Sequence, residues 1–318
     1  MSGSAELLAA SRAPAQPEAA PGGLFWRRFL RHRLAVASGG VLILLGLLAL
    51  AAPAVEAMRG IDSNAVDLLN RFAPPSSAHP LGTDELGRDL LQRLLAGGRI
   101  SLALGLVAAL AAATIGTAVG LVAGYFGGRL DAVLMRLADS VIALPILPLL
   151  IVLAAVDLTK LGVSPAAASA PDASFYRMAA LIALVGWTTV ARLVRGATLS
   201  VREREYVRAA EALGAGPLRI MTVHILPNVI GPVIVATTLS VGGIILTESV
   251  LSFLGLGIQP PLPSWGNMLS NAQELIWSAP ALAVWPGLAI FVTVIAFNFL
   301  GDGLRDALDP RAVELAGR

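Results

Sequence analysis

The strongest constraint in this sequence is a series of apolar stretches, each about as long as a bilayer-spanning helix. One of them, between Arg99 and Arg129, contains no Asp, Glu, Lys or Arg. Of the 318 residues only 14% are charged, whereas a typical soluble domain has about 25%. A backbone inside lipid must satisfy its own hydrogen bonds, so these stretches are expected to be α-helices. The sequence therefore predicts an all-α integral membrane protein.

About six transmembrane helices are predicted from the apolar stretches. In chain order they cover residues 34–55, 100–126, 140–156, 178–194, 229–247 and a last span within 275–301. The first follows a cluster of arginines, as in a signal peptide, but it is longer than the roughly 7–15 residues of a signal-peptide core. We therefore expect an uncleaved first span. Pro145 and Pro148 are expected to kink the third span, because proline removes a helical hydrogen bond.

The distribution of basic residues predicts the orientation of these spans. Six crossings place both termini on one side of the membrane, and sixteen of the 23 basic residues fall in segments on that side. The first loop on the other side, 56–99, also carries arginines, but the segment 192–219 is richer in them. Cytoplasmic segments of membrane proteins carry an excess of Lys and Arg. Both termini of this multi-pass protein are therefore predicted to be cytoplasmic.

The same features divide the chain into four regions. Residues 1–23 are rich in Ala, Ser, Pro and Gly and are predicted to form a disordered cytoplasmic tail. The first transmembrane helix and an outer loop occupy residues 24–96. A transmembrane core with a long cytoplasmic loop at 196–228 occupies residues 97–310, and a short C-terminal tail occupies 311–318.

Three glycines of the second span share one face of the predicted helix. Gly116, Gly120 and Gly124 recur every four residues, and small residues at this spacing let a second helix backbone approach closely. The pattern predicts a tight helix–helix contact along this face. A role of the glycines in the passage of a substrate is the alternative interpretation.

The cytoplasmic loop 196–228 carries consistent helix signals. Ser200 and Glu203 form a capping-box pattern, which predicts a helix that starts near Val201. Good helix formers follow, and Gly214 is suited to the left-handed conformation that ends a helix. The loop is therefore expected to begin with a helix and a glycine turn.

A second helix of this loop is predicted from Pro217, which suits a first helical turn, to Pro227, which is expected to end it. Such a helical pair could dock into a partner protein or lie on lipid headgroups. Composition alone does not separate these two interpretations. The candidate residues for contact with a partner, which the resemblance described below implies to be an ATPase, are Tyr206, Arg208, Ala209, Ala210, Glu211, Ala212, Leu213 and Gly214.

A second candidate site lies at the end of the fifth span. Residues 249–274 are too apolar and too rich in Gly and Pro for an ordinary solvated loop, which predicts a re-entrant or capping element at the outer mouth. Glu248 is expected at the outer end of the span, as part of a gate or as a contact for a substrate amine, and the alternative is a carboxylate at the water boundary. Together with Phe253 and Trp265 it forms the candidate outer gate.

The sequence does not support an enzymatic or a nucleic-acid-binding function. The single lysine, Lys160, is not in a phosphate loop, so any ATPase must be another polypeptide. There is no cysteine, and His32, His79 and His224 are far apart. A net charge of +2 gives no basic face for nucleic acid. No catalytic, cofactor or metal site is predicted, and the spans lack the charged midplane sites expected of a secondary transporter.

Several sequence blocks resemble one family of transport proteins. The runs RAAEALG (208–214) and ILP (225–227) resemble the EAA loop of importer permeases in the ATP-binding-cassette superfamily. Arg208 stands where that family has a glutamate, and Glu211 lies one turn later, so the two are expected to pair. Four further blocks resemble the C-type permeases of dipeptide, oligopeptide and nickel importers: HPLGTDELGRDLLQRLLAGGRISL (79–102), GYFGGRLDAVLMRLAD (124–139), ESVLSFLGLGIQPPLPSWGNML (248–269) and FNFLGDGLRDALDP (297–310).

The resemblance implies a type I importer transmembrane fold and the role of a pore-forming permease subunit. The EAA loop would then hold the coupling helix that inserts into an ATPase subunit. The implied partners are a second, B-type permease, two ATPase subunits and an external solute-binding protein, together with the lipid of a bacterial plasma (inner) membrane. The implied substrates are dipeptides or oligopeptides, with nickel and glutathione as alternatives within the family.

Overall fold

The computed structural model describes residues 21–308, and these form helices and loops without a β-strand, apart from one isolated bridge between Thr83 and Asp89. The main helices are α1 (Pro21–Arg31), α2 (Arg33–Arg59), α3 (Leu90–Phe126), α4 (Gly128–Ala143), α5 (Ile146–Ala154), α6 (Ala173–Arg202), α7 (Glu205–Ala212), α8 (Leu226–Phe253) and α9 (Ala281–Leu308). Shorter helical turns are Leu68–Asn70, Leu158–Leu161, Pro165–Ala168, Pro217–Arg219, Asn267–Leu269 and Ala272–Leu275. The predicted all-α class is confirmed.

Five continuous helices of the described chain are long and apolar enough to cross a membrane: α2, α3, α6, the helix Pro217–Phe253 that contains α8, and α9. The third predicted span, 140–156, is wrong as a single helix. It belongs to α4 and α5, which meet at 87°. Leu144 is extended and Pro145 precedes α5 without a backbone N–H to donate, so the predicted proline kink becomes a complete break.

The helices α3 and α6 run parallel to each other. Gly116 faces Trp187 and Gly124 faces Thr198, so residue numbers rise together along both helices. The chain between two parallel helices must cross back, and α4 and α5 make this return together. Counted in this way, the described residues cross six times, in agreement with the predicted number.

The bundle has two ends, which we call the α7 end and the loop end. At the α7 end, α7 follows α6, and Arg202 donates to the carbonyl oxygen of Tyr125 near the end of α3 (2.8 Å). The loop end carries residues 60–89, between α2 and α3, and residues 254–271, which follow α8 and which we call the cap segment. The residues predicted to contact a partner therefore lie at the α7 end, and the predicted outer gate lies at the loop end.

The contact of α3 with α6 is the most extensive helix pair of the described bundle. A Cβ atom at Gly116 would lie 2.5 Å from the carbonyl oxygen of Trp187, and one at Gly120 would lie 2.5 Å from that of Ala191. At Gly124 the nearest atom would be Cβ of Thr198, at 2.7 Å. Only glycine fits at such distances, so the predicted tight contact is confirmed.

The N-terminal region differs from the prediction at its boundary. The predicted disordered tail, 1–23, overlaps α1, which begins at Pro21, while residues 1–20 and the tail 311–318 lie outside the described residues. His32 separates α1 from α2 and lies 3.6 Å (Nε2 to Oδ2) from Asp306 of α9. The described ends of the chain, in α1 and α9, therefore lie together at the α7 end.

A methyl group added at Gly120 is expected to separate α3 from α6. In Gly120→Ala the new Cβ meets backbone, which cannot move unless the helices move apart. We expect the free energy of unfolding to fall by about 1–3 kcal/mol, measured as a lower thermal midpoint of the purified protein in detergent. The matched control is Gly46→Ala in α2, where a Cβ meets nothing within 4 Å. Equal midpoints for the two variants would contradict this account of the packing.

Candidate functional site

The helix α7 stands apart from α6 because the chain turns at Glu203 and Arg204. The predicted helix start near Val201 is wrong, since α6 continues through Arg202 and the capping-box residue Ser200 lies inside it. Favourable packing of α6 along α3 overrides this local signal. The predicted end is confirmed: Gly214 has φ +84° and its N–H donates to the carbonyl of Glu211.

One buried side chain attaches α7 to the bundle. Val207 is 1% exposed and packs in an apolar cluster with Ile220 and Ile225, which precede α8, and with Val194 of α6. The other faces of α7 are open. Of the eight residues predicted to contact an ATPase, Ala210 is half-buried and the other seven are exposed, with Leu213 at 88%. The helix thus presents a small apolar surface on a firm base.

Arg208 pairs with Glu203, not with Glu211 as predicted. The hydrogen bonds that Glu203 accepts from Arg208 and Arg202 hold the pKa of Glu203 below its ordinary value. The turn before α7 brings Glu203 to the guanidinium, and this arrangement cannot be seen in helical spacing. Arg208 therefore ties α7 to the end of α6, and Glu211 stays exposed.

The second predicted helix of this loop is continuous with α8. Pro217 occupies its first turn, as predicted. Pro227 does not end it, because a π-helical segment, Ile220–Ile225, precedes the proline and Leu226 donates to the carbonyl of Met221. This wider turn leaves room for a residue that lacks an N–H. The prediction of a helix end at Pro227 is therefore wrong.

Arginines of α6 fix the base of α7 to the neighbouring helices. Arg195 binds Asp131 of α4 through two hydrogen bonds, from Nε to Oδ1 (2.5 Å) and from Nη2 to Oδ2 (2.7 Å). Such a two-point contact fixes orientation as well as distance. Arg202 also donates to the end of α3, so α6 is held to both α3 and α4 at the α7 end.

At the loop end, Glu248 is fully buried, which contradicts the alternative interpretation as a carboxylate at the water boundary. Its Oε1 accepts hydrogen bonds from Ser252 (2.6 Å) and from Ser264 of the cap segment (2.9 Å). Ser101 of α3 donates to Oε2 at 3.4 Å. Glu248 therefore joins α8, α3 and the cap segment, and no described arginine or lysine forms an ion pair with it.

The cap segment folds back into the bundle, as predicted for a re-entrant or capping element. Trp265 is 3% exposed; its backbone N–H donates to Oγ of Ser101 (3.1 Å), and its Nε1 donates to the carbonyl of Leu94 (2.9 Å). A Cβ at Gly98 would lie 2.8 Å from the indole ring. Glu248 and Trp265 thus share one network, whereas Phe253 is 41% exposed and outside it.

The serines of this network were not predicted from the sequence. Ser252 lies four residues after Glu248 on α8, a spacing that could have indicated their contact. Ser101 and Ser264 are 147 and 16 residues from Glu248 along the chain. Their meeting depends on the tertiary fold, and an isolated serine gives no signal of it.

The loop between α2 and α3 is organised around Asp89, whose side chain is completely buried. Its carboxylate accepts hydrogen bonds from Arg59 Nη2 (2.9 Å) and the backbone N–H of Gln92 (2.7 Å), and lies 2.9 Å from Nδ1 of His79. Burial would raise the pKa of Asp89, but the hydrogen bonds from Arg59, Gln92 and His79 outweigh it and lower the pKa. The loop is therefore a fixed part of the loop end.

These features define a multi-span membrane protein with a protruding helix at one end and structured loops at the other. Residues 116–314 match the family described as binding-protein-dependent transport system inner membrane component. Residues 20–75 match the N-terminal TM domain of oligopeptide transport permease C.

Named relatives cover nearly the whole chain. The glutathione transport system permease protein GsiD of Pectobacterium atrosepticum is 43% identical over 90% of this chain and 90% of its own. The dipeptide permease DppC of Alkalihalophilus pseudofirmus is 38% identical over 90% and 88%. The oligopeptide permease OppC of Bacillus subtilis is 38% identical over 89% and 88%.

The chain belongs to the family of binding-protein-dependent transport system inner membrane components. It is a multi-pass permease subunit of an importer, not an enzyme, and ATP hydrolysis belongs to separate subunits of such systems. The resemblance stated from the sequence is confirmed, and a secondary transporter is excluded by this membership.

Removal of the Glu248 carboxylate is expected to loosen the cap segment. In Glu248→Ala the hydroxyls of Ser252 and Ser264 lose a buried acceptor, at a cost of about 1–3 kcal/mol each. The chain has no cysteine, so Ile258→Cys, at a position 2% exposed, is a clean reporter. We expect maleimide labelling of this reporter to accelerate about ten-fold or more.

The matched control for Glu248→Ala is Thr247→Ala on the same helix, whose hydroxyl bonds only to the carbonyl of Gly243. It is expected to leave the labelling rate of the reporter unchanged. If both variants labelled at the same rate, Glu248 would not hold the cap segment.

Acidification is expected to release the loop 60–89. Because the folded pKa of Asp89 is lowered, its stabilisation is complete above the ordinary pKa of about 3.9 and is lost as the pH falls through the folded value. The hydrogen-exchange protection factors of the loop, which correct for the intrinsic pH dependence of exchange, should stay constant from neutral pH down to about pH 5 and should fall below about pH 4. Asp89→Asn should expose it at neutral pH, whereas Asp62→Asn, at an exposed turn, should not. Protection that persists in Asp89→Asn would contradict the central place of this carboxylate.

Proposed function

We propose that this permease uses α7 as a coupling helix, which docks into a partner ATPase and transmits its movement to the import of small peptides. The single observation that carries the proposal is the exposed surface of α7 on a base held by the buried side chain of Val207. A helix that only lay on lipid would have no need for this bracing. The family supports an ATPase partner, and the names of the three relatives support peptides as substrates.

Transmission follows from the contacts of α7. Val207 packs against residues that lead directly into α8, and α6 leads into α7 through the pair of Glu203 and Arg208. When ATP closes the motor, a displacement of α7 would move α6 and α8 together. The bundle would then change from an inward-facing to an outward-facing state, receive substrate from a binding protein, and release it to the cytoplasm after hydrolysis.

In the assembly we propose, the α7 end faces the cytoplasm, with both chain termini there, in a bacterial inner membrane. The complex would contain a second, B-type permease, two ATPase subunits and an external binding protein at the loop end. A groove of about 640 Å³ between α3, α8 and α9 has an apolar lining with a few threonines and no charged residue. We assign it to the side that meets the second permease, where a charge-poor path suits a pore whose specificity resides largely in the binding protein.

The outer gate remains a proposal for two of its three predicted residues. Glu248 and Trp265 hold the cap segment at the loop end, where substrate would enter. Phe253 is 41% exposed and forms none of these hydrogen bonds, so its part in the gate stays a prediction from the sequence. Movement of the cap segment would open or close the path from the binding protein.

The test is to place a charge on the apolar surface of α7. In Leu213→Asp an 88% exposed leucine becomes an acid that would be buried in the docked complex. We expect co-purification with the ATPase to fall at least about ten-fold, equivalent to about 1.4 kcal/mol, and ATP-dependent peptide uptake in proteoliposomes to fall with it.

Leu69→Asp is the matched control, because Leu69 is 96% exposed at the loop end. It is expected to leave association with the ATPase unchanged. Normal association and uptake in Leu213→Asp, with the protein folded, would remove α7 from the coupling mechanism.

A further inference from the structure

A cavity of about 300 Å³ lies at the loop end, beside the cap segment. Three segments form its walls: the loop that precedes α6, the first turns of α6, and the turn of the cap segment around Pro260. The lining includes Ser174, Arg177, Gln259, Pro260 and Pro261. Arg177 is the one ionisable side chain in this lining.

Arg177 is a cation without a described acceptor. Its Nε atom is buried and has no hydrogen-bond partner, and within residues 21–308 the guanidinium makes no ion pair. The other partly buried arginines at this end differ: Arg59 binds Asp89, and Arg88 and Arg93 contact Asp84. An unpaired buried donor costs about 1–3 kcal/mol, so the donors of Arg177 are not fully satisfied within the described residues.

The walls of this cavity are fixed by the fold. The backbone N–H of Gln259 donates to Oγ of Ser174 at 3.2 Å, which joins the cap segment to α6. The side-chain amide of Gln259 donates to the carbonyls of Gly255 (2.9 Å) and Gly257 (3.3 Å). The guanidinium of Arg177 is therefore the one cationic group of the lining, and it has no described acceptor.

We propose that this cavity binds an oxyanion at Arg177, and that the oxyanion is the C-terminal carboxylate of the peptide entering at the loop end. A guanidinium presents parallel N–H donors that match the two oxygens of a carboxylate. The cavity volume accommodates the terminal residue of a peptide. The inference rests on the proposed import of peptides and adds a position at which the permease itself recognises its substrate.

A neighbouring cavity provides the internal comparison. It has a volume of about 280 Å³, shares Pro261 with the first cavity, and is lined by Arg99 together with Glu56 and Asp62. Acids therefore accompany the arginine there, whereas Arg177 lines its cavity without one. Arg99→Gln removes the same charge at the same end of the bundle and serves as the matched control.

The experiment measures uptake of dialanine, trialanine and glutathione, each with a free C-terminus and as the C-terminal amide. Proteoliposomes contain the complete transporter with its binding protein, so selection by the binding protein is the same in every variant. We expect Arg177→Gln to reduce the ratio of kcat/KM for free peptide to that for amide about ten-fold or more. Arg177→Lys keeps the charge but lacks the parallel N–H donors, so it should reduce this ratio less. Arg99→Gln should leave the ratio unchanged.

The outcomes separate the possible sources of the anion. A phosphate of a lipid headgroup has the same chemistry, so the assay is repeated in phosphatidylcholine with and without phosphatidylglycerol. An effect of Arg177→Gln that is equal for free peptide and amide, or that appears only with phosphatidylglycerol, would overturn the inference. If the unaltered transporter took up no free peptide with ATP, the proposed function itself would fail, and the inference would fall with it.

Discussion

The approach of α3 to α6 is the contact on which the rest of the molecule depends. The glycine face of α3 lets the two backbones meet in parallel, and parallel neighbours oblige the intervening chain to return across the membrane. That return is made by the bent pair α4 and α5, which Arg195 ties to α6 through Asp131. The same contact places the start of α7 beside the end of α3. A loss of this packing would therefore disturb both ends of the bundle.

Much of the fold could be predicted because lipid imposes a strict length on apolar helices. Five of the six predicted spans lie within continuous helices, and the three glycines identified the close contact of α3 with α6, the most extensive helix pair of the described bundle. The errors arose where local signals competed with tertiary packing. Ser200 reads as a helix cap in isolation, yet packing carries α6 past it, and Pro227 reads as a stop, yet a π-helical turn accommodates it.

In the candidate sites, too, local features could be predicted from the sequence and tertiary contacts could not. Exposure of α7 and its glycine stop followed from sequence, because both are properties of one short segment. The partner of Arg208 did not, since the turn at Glu203 determines it. Glu248 was found as an ionisable residue in an apolar setting, but its serine partners come from distant parts of the chain. The significance of Arg177 comes from the cavity around it, which no local sequence pattern indicates.

The continuity of the chain through Pro227 has a mechanical consequence. Residues Pro217–Phe253 form one helix of 37 residues, a rod about 55 Å long. Rigid tilting of a rod of that length by about 5° displaces its far tip by about 5 Å. Glu248 lies near that tip, so a tilt imposed at the α7 end, where we propose that the ATPase docks, would also move the serine-bound carboxylate at the loop end.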